Sequence, residues 1–218
     1  MKRARVILWV TISMLWIGGV IHAESAQAAA PTEQLKTSID AVIKILRDEG
    51  LKRPEKAKER RELLLKTIKE RFDFEEMSKR TLATHWAKRT PQEKKEFTDI
   101  FTNLLQNSYM TRIEEYTDEE VEYSGEKIDD GFAVVKTTLR AKDKEGIPID
   151  YKLIKEGDRW SVYDVVIEGV SLVNNYRSQF NRIISADSYP ELVKKMKSKE
   201  AEILKGSSGP KKSSKGLE

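Results

Sequence analysis

The sequence predicts an α+β fold, a curved antiparallel sheet of four or slightly more strands with a layer of helices on its concave face. Apolar residues recur with the 3.6-residue period of helices over residues 32–113 and alternate with the two-residue period of strands over 121–167. The helical period returns after Gly169. Consecutive strands joined by short turns favour a meander, and helices over one face bury the apolar sides of both layers.

Four helices are predicted in the first half of the chain. Thr32 is a candidate cap for the first helix, and Pro54 suits the first turn of the second. Asp73 precedes a short third helix, and residues 90–93 form a capping box ahead of the fourth. The first helix carries an apolar face made of Leu35, Ile39, Val42, Ile43 and Leu46. The fourth carries a longer stripe made of Phe97, Ile100, Phe101, Leu104, Leu105 and Ile113.

Four strands are predicted over residues 121–128, 132–141, 147–155 and 160–167. Their connections contain glycine beside charged residues, as is typical of hairpin turns. A helix follows the fourth strand, and a last amphipathic helix is predicted over residues 189–204.

Both ends of the chain are predicted to lie outside the folded domain, which spans residues 29–204. Residues 1–28 have the pattern of a cleaved export signal: basic residues, an apolar run over 6–21, and cleavage sites near Ala23 and Ala28. An uncleaved membrane anchor is the alternative, but the run is shorter than the roughly 20 residues that a spanning helix needs. Residues 205–218 are rich in Gly, Ser and Lys, which predicts a disordered basic tail.

Composition excludes several classes of function. The net charge of +4 comes from the two ends, so the predicted domain is nearly neutral and we expect no nucleic-acid partner. The chain has no cysteine, and of its two histidines only His85 lies outside the predicted signal. Thiolate metal sites and paired-histidine motifs are therefore excluded. We expect no metal, no cofactor and no enzymatic activity.

The most specific motif spans residues 160–180, across the end of the fourth strand. The strand ends at Glu168, Gly169 permits a turn, and Ser171 or a neighbour can begin a helix that packs back on the sheet. The motif therefore predicts a strand-to-helix corner. Asp164, Glu168 and Arg177 are predicted to fix this corner or to meet a partner.

The same residues resemble the signature of the MlaC family, the toluene-tolerance auxiliary proteins. The matching pattern is W-x-(V/I)-Y-D-V-x-x-E-G-V-S-(L/M)-(V/I)-x-N-Y-R-x-(Q/E)-F. Residues 85–109 are also similar to the family's central helix, and the resemblance covers residues 32–200. It implies a periplasmic phospholipid carrier without catalytic activity. Its implied partners are phospholipid, an outer-membrane lipoprotein complex and an inner-membrane ABC transporter complex.

If the resemblance holds, acyl chains lie in a cavity between the sheet and the helices. The facing apolar stripes then give the candidate lipid-binding residues, which are Ile100, Leu104, Tyr109, Val135, Ile149, Tyr151, Tyr163, Val165, Ile167, Val170 and Val173. Two alternatives stay open. One is a periplasmic protein-binding adaptor with a fully packed core, and the other is a small cone-shaped α+β enzyme using His85 or Asp164.

Overall fold

The computed structural model describes residues 30–116, 118–141 and 145–206. The predicted signal and residues 207–218 of the predicted tail lie outside the described residues. The helices are α1 (Pro31–Arg47), α2 (Ala57–Arg71), α3 (Phe74–Leu82), α4 (Pro91–Glu114), α5 (Leu172–Ala186) and α6 (Tyr189–Gly206). Short 3₁₀ turns at Pro54–Lys56 and Ala83–Lys88 precede α2 and follow α3. The strands are β1 (Glu120–Asp129), β2 (Phe132–Arg140), β3 (Ile147–Glu156), β4 (Arg159–Ile167) and β5 (Val170–Ser171).

The strands form one antiparallel sheet in the order β1-β2-β3-β4-β5, as the consecutive hairpins predict. The fifth strand is the short return after the turn at Glu168 and Gly169, which have φ angles of 50° and 81°. Asp130 and Gly131 adopt the same left-handed conformation between β1 and β2. Two consecutive positive φ angles suit the right-handed twist of the flanking strands, and they explain a glycine in each turn.

Of the caps predicted in the first half of the chain, two are confirmed and one is wrong. The hydroxyl of Thr90 accepts from the backbone N–H of Glu93 at 3.2 Å, and the Glu93 carboxylate accepts from the N–H of Thr90 at 2.8 Å. Asp73 likewise accepts from the N–H of Glu76 at 2.8 Å. Thr32 does not cap α1, because Pro31 is already the first helical residue. The N–H and hydroxyl of Thr32 both donate to the carboxylate of Glu126 on β1.

The apolar interior has two main parts. Helices α3 to α6 pack on one another around Phe97, Phe101 and Phe180, whose ring centroids lie 5.7–5.9 Å apart. A second cluster lies between α1 and the sheet and includes Leu35 and Val135. The described residues contain no helix that is long and apolar enough to cross a membrane.

Candidate functional site

An open, apolar cavity of about 460 Å³ lies between the sheet, α1, α2 and the last turns of α4. From α1 it is lined by Leu35, Ser38, Ile39, Val42, Ile43 and Leu46. The sheet contributes Val121, Thr137, Leu139, Ile147, Ile149, Tyr151 and Ile167. The size falls within the range of roughly 300–1,000 Å³ that is usual for small-molecule sites.

The periodicity of the sequence explains why apolar side chains meet here. Side chains three and four residues apart on α1 fall on one face of the helix. On β3, alternate residues point to the same side of the sheet. Antiparallel register then sets Ile149 beside Thr137 of β2 and Ile167 of β4. The cavity therefore has a helical wall and a sheet wall, each apolar.

A polar tie lies at one end of the cavity, where Leu35 is only 1% exposed. Arg71, in the last turn of α2, donates from Nε to the Ser38 hydroxyl at 2.8 Å. Its Nη1 donates to the Gln34 side-chain oxygen at 2.9 Å and to the Trp160 carbonyl at 2.6 Å. Burial lowers the pKa of Arg71, with a smaller contribution from the charge of Arg159. These bonds join α1, α2 and β4 at the closed end.

The opposite end of the cavity is open. Ile147, at the start of β3, is 40% exposed, and Arg112, in the last turn of α4, is also exposed. Tyr116 closes part of this end, because Arg47 donates to its hydroxyl at 3.3 Å and the hydroxyl donates to the Glu119 carbonyl. Burial raises the pKa of Tyr116. On the sheet wall, burial raises the pKa of Tyr151 to about 12, so this phenol is neutral at physiological pH.

A family model described as MlaC protein matches residues 36–198. The chain belongs to the MlaC family. This confirms the resemblance carried by residues 160–180, and both walls of the cavity lie almost entirely within the matched region.

Two relatives agree with this membership. The toluene tolerance protein Ttg2D of Pseudomonas putida is 26% identical over 110 residues, which are 50% of this chain and 51% of the relative. The match thus spans about half the length of that curated relative. A solved structure of the phospholipid-binding protein from Ralstonia solanacearum, in complex with a phospholipid, is 26% identical with a TM-score of 0.72. It covers 81% of this chain and 99% of its own, so the α+β fold predicted from the sequence is confirmed.

The structure divides the candidate residues among several environments. Four of them line the cavity, namely Tyr109, Ile149, Tyr151 and Ile167. Val135 and Val165 are buried in the cluster between α1 and the sheet. Ile100, Leu104 and Val173 are buried among the helices of the other cluster.

Tyr163 and Val170 lie apart from both cavity walls. The Arg80 guanidinium stands 4.0 Å from the centroid of the Tyr163 ring, and this ring also makes a T-shaped contact with Phe132. Tyr163 sits where the β3–β4 register shifts, because Asp164 pairs with Lys152 whereas Val162 already pairs with Leu153. Val170 is 57% exposed on β5.

The sequence-based site list omitted the wall contributed by α1. All the residues of the apolar face predicted for the first helix line the cavity. The sequence does contain a signal for this wall, because the apolar face of the first helix has no packing partner that the sequence identifies. The long apolar stripe of α4 was predicted to line the cavity instead, but its Phe97–Leu105 part packs against α3, α5 and α6.

The two candidate catalytic groups of the enzyme alternative are both engaged elsewhere. Nε2 of His85 lies 3.1 Å from Oδ1 of Asn181. Asp164 is 2% exposed and accepts from Ser171, Val173 and Lys152. Neither residue lines the cavity. Within the described ranges, no cluster of three or more potential metal ligands is present.

Proposed function

We propose that this protein is a periplasmic phospholipid carrier that holds acyl chains in the cavity between α1 and the sheet. It moves phospholipid between an outer-membrane lipoprotein complex and an inner-membrane ABC transporter complex, and it is not an enzyme. The observation that carries the proposal is the open apolar cavity, which lies in a chain of the MlaC family. The phospholipid-bound relative with the same fold supports the choice of ligand.

The energetics of acyl chains explain why a carrier would need partners. Burying an acyl chain gives about 0.8 kcal/mol per CH₂, so two long chains approach the limit of non-covalent affinity. Release into water is then negligibly slow, whereas transfer to another apolar environment is close to neutral. The carrier must therefore dock on complexes that accept the chains without exposing them, and direction must come from a partner or a lipid gradient.

The lining of the cavity suits transport better than chemistry. It contains no carboxylate, histidine or lysine among the described residues. The tyrosines Tyr109, Tyr116 and Tyr151 all have pKa values raised by burial, which keeps them neutral and makes them poor bases. We include Tyr109, Ile149, Tyr151 and Ile167 among the acyl-chain contacts, together with the apolar face of α1.

Replacement of Ile149 tests the proposal. Ile149→Glu places a carboxylate in the cavity, and burying an unpaired charge there strongly disfavours an acyl chain beside it. Val134→Glu is the matched control. It lies on the other face of the sheet, where its cross-strand neighbours are Lys127 and Lys152.

Each purified protein is extracted with organic solvent, and the extract is analysed by mass spectrometry. We expect stoichiometric phospholipid from the wild type and from Val134→Glu, and little or none from a folded Ile149→Glu. Absence of phospholipid from the wild type, before and after incubation with vesicles, would contradict the proposal and favour the adaptor with a packed core. Equal lipid in all three proteins would contradict the position of the chains.

A further inference from the structure

The charge of the cavity lining is one-sided. Two of the described lining residues are cationic, Arg71 and Arg112, and none is a carboxylate. Arg71 uses its Nε and Nη1 groups on three neutral acceptors at the closed end. The guanidinium of Arg112, which is exposed and lines the cavity, makes no hydrogen bond or ion pair with any residue that the structure describes.

The position of Arg112 is set by α4. It follows Tyr109 by three residues, so the two side chains share a face of the helix. Both line the cavity, and Arg112 is exposed. The charge of Arg112 acts on the Tyr109 phenol and lowers its pKa, against the larger effect of burial, which raises it. The two side chains therefore face the cavity together from the last turns of α4.

A phospholipid with its chains in this cavity must leave its phosphate at the open end, because an unpaired charge in the apolar interior is very costly. A guanidinium matches the geometry of phosphate oxygens and forms paired, charge-assisted hydrogen bonds with them. We propose that Arg112 binds the phosphate of the lipid headgroup at the mouth of the cavity, with the Tyr109 hydroxyl beside it. This inference rests on the proposed carrier function.

A competition between two lipids with the same acyl chains isolates the phosphate contact. Delipidated protein is incubated with dioleoylphosphatidylglycerol vesicles that contain dioleoylglycerol, and the ratio of the two bound lipids is measured in the organic extract. We expect Arg112→Met to lower the ratio of phospholipid to diacylglycerol by about tenfold, the loss of a charged hydrogen-bonded contact. Arg112→Lys should fall between the two, because an ammonium keeps the charge without the paired geometry.

Arg182→Met is the matched control, because Arg182 is an exposed arginine of α5 outside the cavity, and its ratio should equal that of the wild type. The same loss is expected in phosphatidylcholine vesicles, which carry no net charge. If the ratio of bound phospholipid to diacylglycerol fell only with the anionic vesicles, Arg112 would act by attraction to the vesicle surface. That result would overturn the proposed phosphate contact. An unchanged ratio in Arg112→Met would overturn it as well.

Two further results distinguish a failure of the phosphate contact from a failure of the proposed carrier function. If Arg112→Met keeps the total lipid content of the wild type but loses the preference, both the carrier function and the phosphate contact are supported. If the wild type takes up neither lipid, the carrier function itself fails. Inorganic phosphate is added in a separate arm, and a wild-type ratio that falls to that of Arg112→Met would identify a site for free phosphate and overturn the headgroup assignment.

Discussion

The hydroxyl of Ser171 donates a 2.7 Å hydrogen bond to Oδ2 of Asp164, which joins the end of β4 to the first residue before α5. The other carboxylate oxygen accepts from the N–H of Val173 at 3.0 Å, and Ser171 in turn accepts from the N–H of Asn174. Lys152 of β3 lies 3.1 Å from the same carboxylate. The strand-to-helix corner in the family signature is thus held by a buried carboxylate that contacts Ser171, Val173 and Lys152.

Replacement of Asp164 should cost stability. Asp164→Ala leaves the N–H of Val173 and the hydroxyl of Ser171 without their acceptor and leaves Lys152 without its counter-charge. We expect the free energy of unfolding to fall by about 3 kcal/mol, measured by urea denaturation. The exposed neighbour Glu168 offers the control, because Glu168→Gln should change it by less than about 0.5 kcal/mol. Equal effects of the two substitutions would show that Asp164 does not hold the corner.

The polar tie at the closed end should restrain α1. Arg71→Met removes the donors to Ser38, Gln34 and the Trp160 carbonyl, and we expect the free energy of unfolding to fall by roughly 2 kcal/mol. Hydrogen exchange of the backbone amides at the N-terminal end of α1 should accelerate, while exchange in α6 stays as in the wild type. Uniform acceleration along the chain would indicate global destabilisation rather than a local tie.

Leu104 should support the fold without contacting lipid, although its stripe made it a candidate. It is 1% exposed within the cluster of α3 to α6, so Leu104→Ala should lower the free energy of unfolding by about 2–5 kcal/mol. The phospholipid content per folded molecule should equal that of the wild type. It is measured by phosphorus analysis of the folded protein after size-exclusion chromatography. Loss of phospholipid at unchanged stability would place the chains among these helices instead.

Tyr151 gives the stability a dependence on alkaline pH. Its pKa is raised to about 12 in the folded protein, compared with 10.0 for an ordinary tyrosine. Between these two values the folded state holds a proton that the unfolded state has lost, so the free energy of unfolding falls as the pH rises. Tyr151→Phe lacks this contribution and should lose less stability than the wild type between pH 10 and 12. The free energy of unfolding of each protein is measured by urea denaturation at each pH. An equal decrease in both proteins would show that this phenol ionises normally.

Much of the architecture could be predicted from local patterns. The capping box at Thr90 and the turn at Gly169 depend on neighbours within a few residues, and both are present in the structure. The strand bounds agree within two residues for the same reason, because alternation and hairpin turns are local. Thr32 failed as a cap because Pro31, directly before it, could already occupy the first helical position.

The cavity could be predicted only in part, because it depends on which apolar faces meet. Ile149 and Ile167 were identified, since alternation along a strand fixes the face on which each lies. Ile39 and Val42 were not predicted as lining residues. Nothing local to α1 shows that its apolar face lies opposite the sheet with a space between the two. Leu104 was assigned to the cavity because a stripe that packs on helices has the same period as one that lines a cavity. The shift in register opposite Tyr163 likewise follows from pairing between distant strands.

The most direct test of the central claim is to locate the acyl chains. The protein is loaded with a phospholipid that carries a photoreactive diazirine at the end of one chain, irradiated, digested and sequenced by mass spectrometry. The proposed cavity predicts crosslinks on α1 and on the facing strands, at residues such as Ile39, Val42 and Ile149. Crosslinks confined to the cluster around Phe97, Phe101 and Phe180 would contradict it.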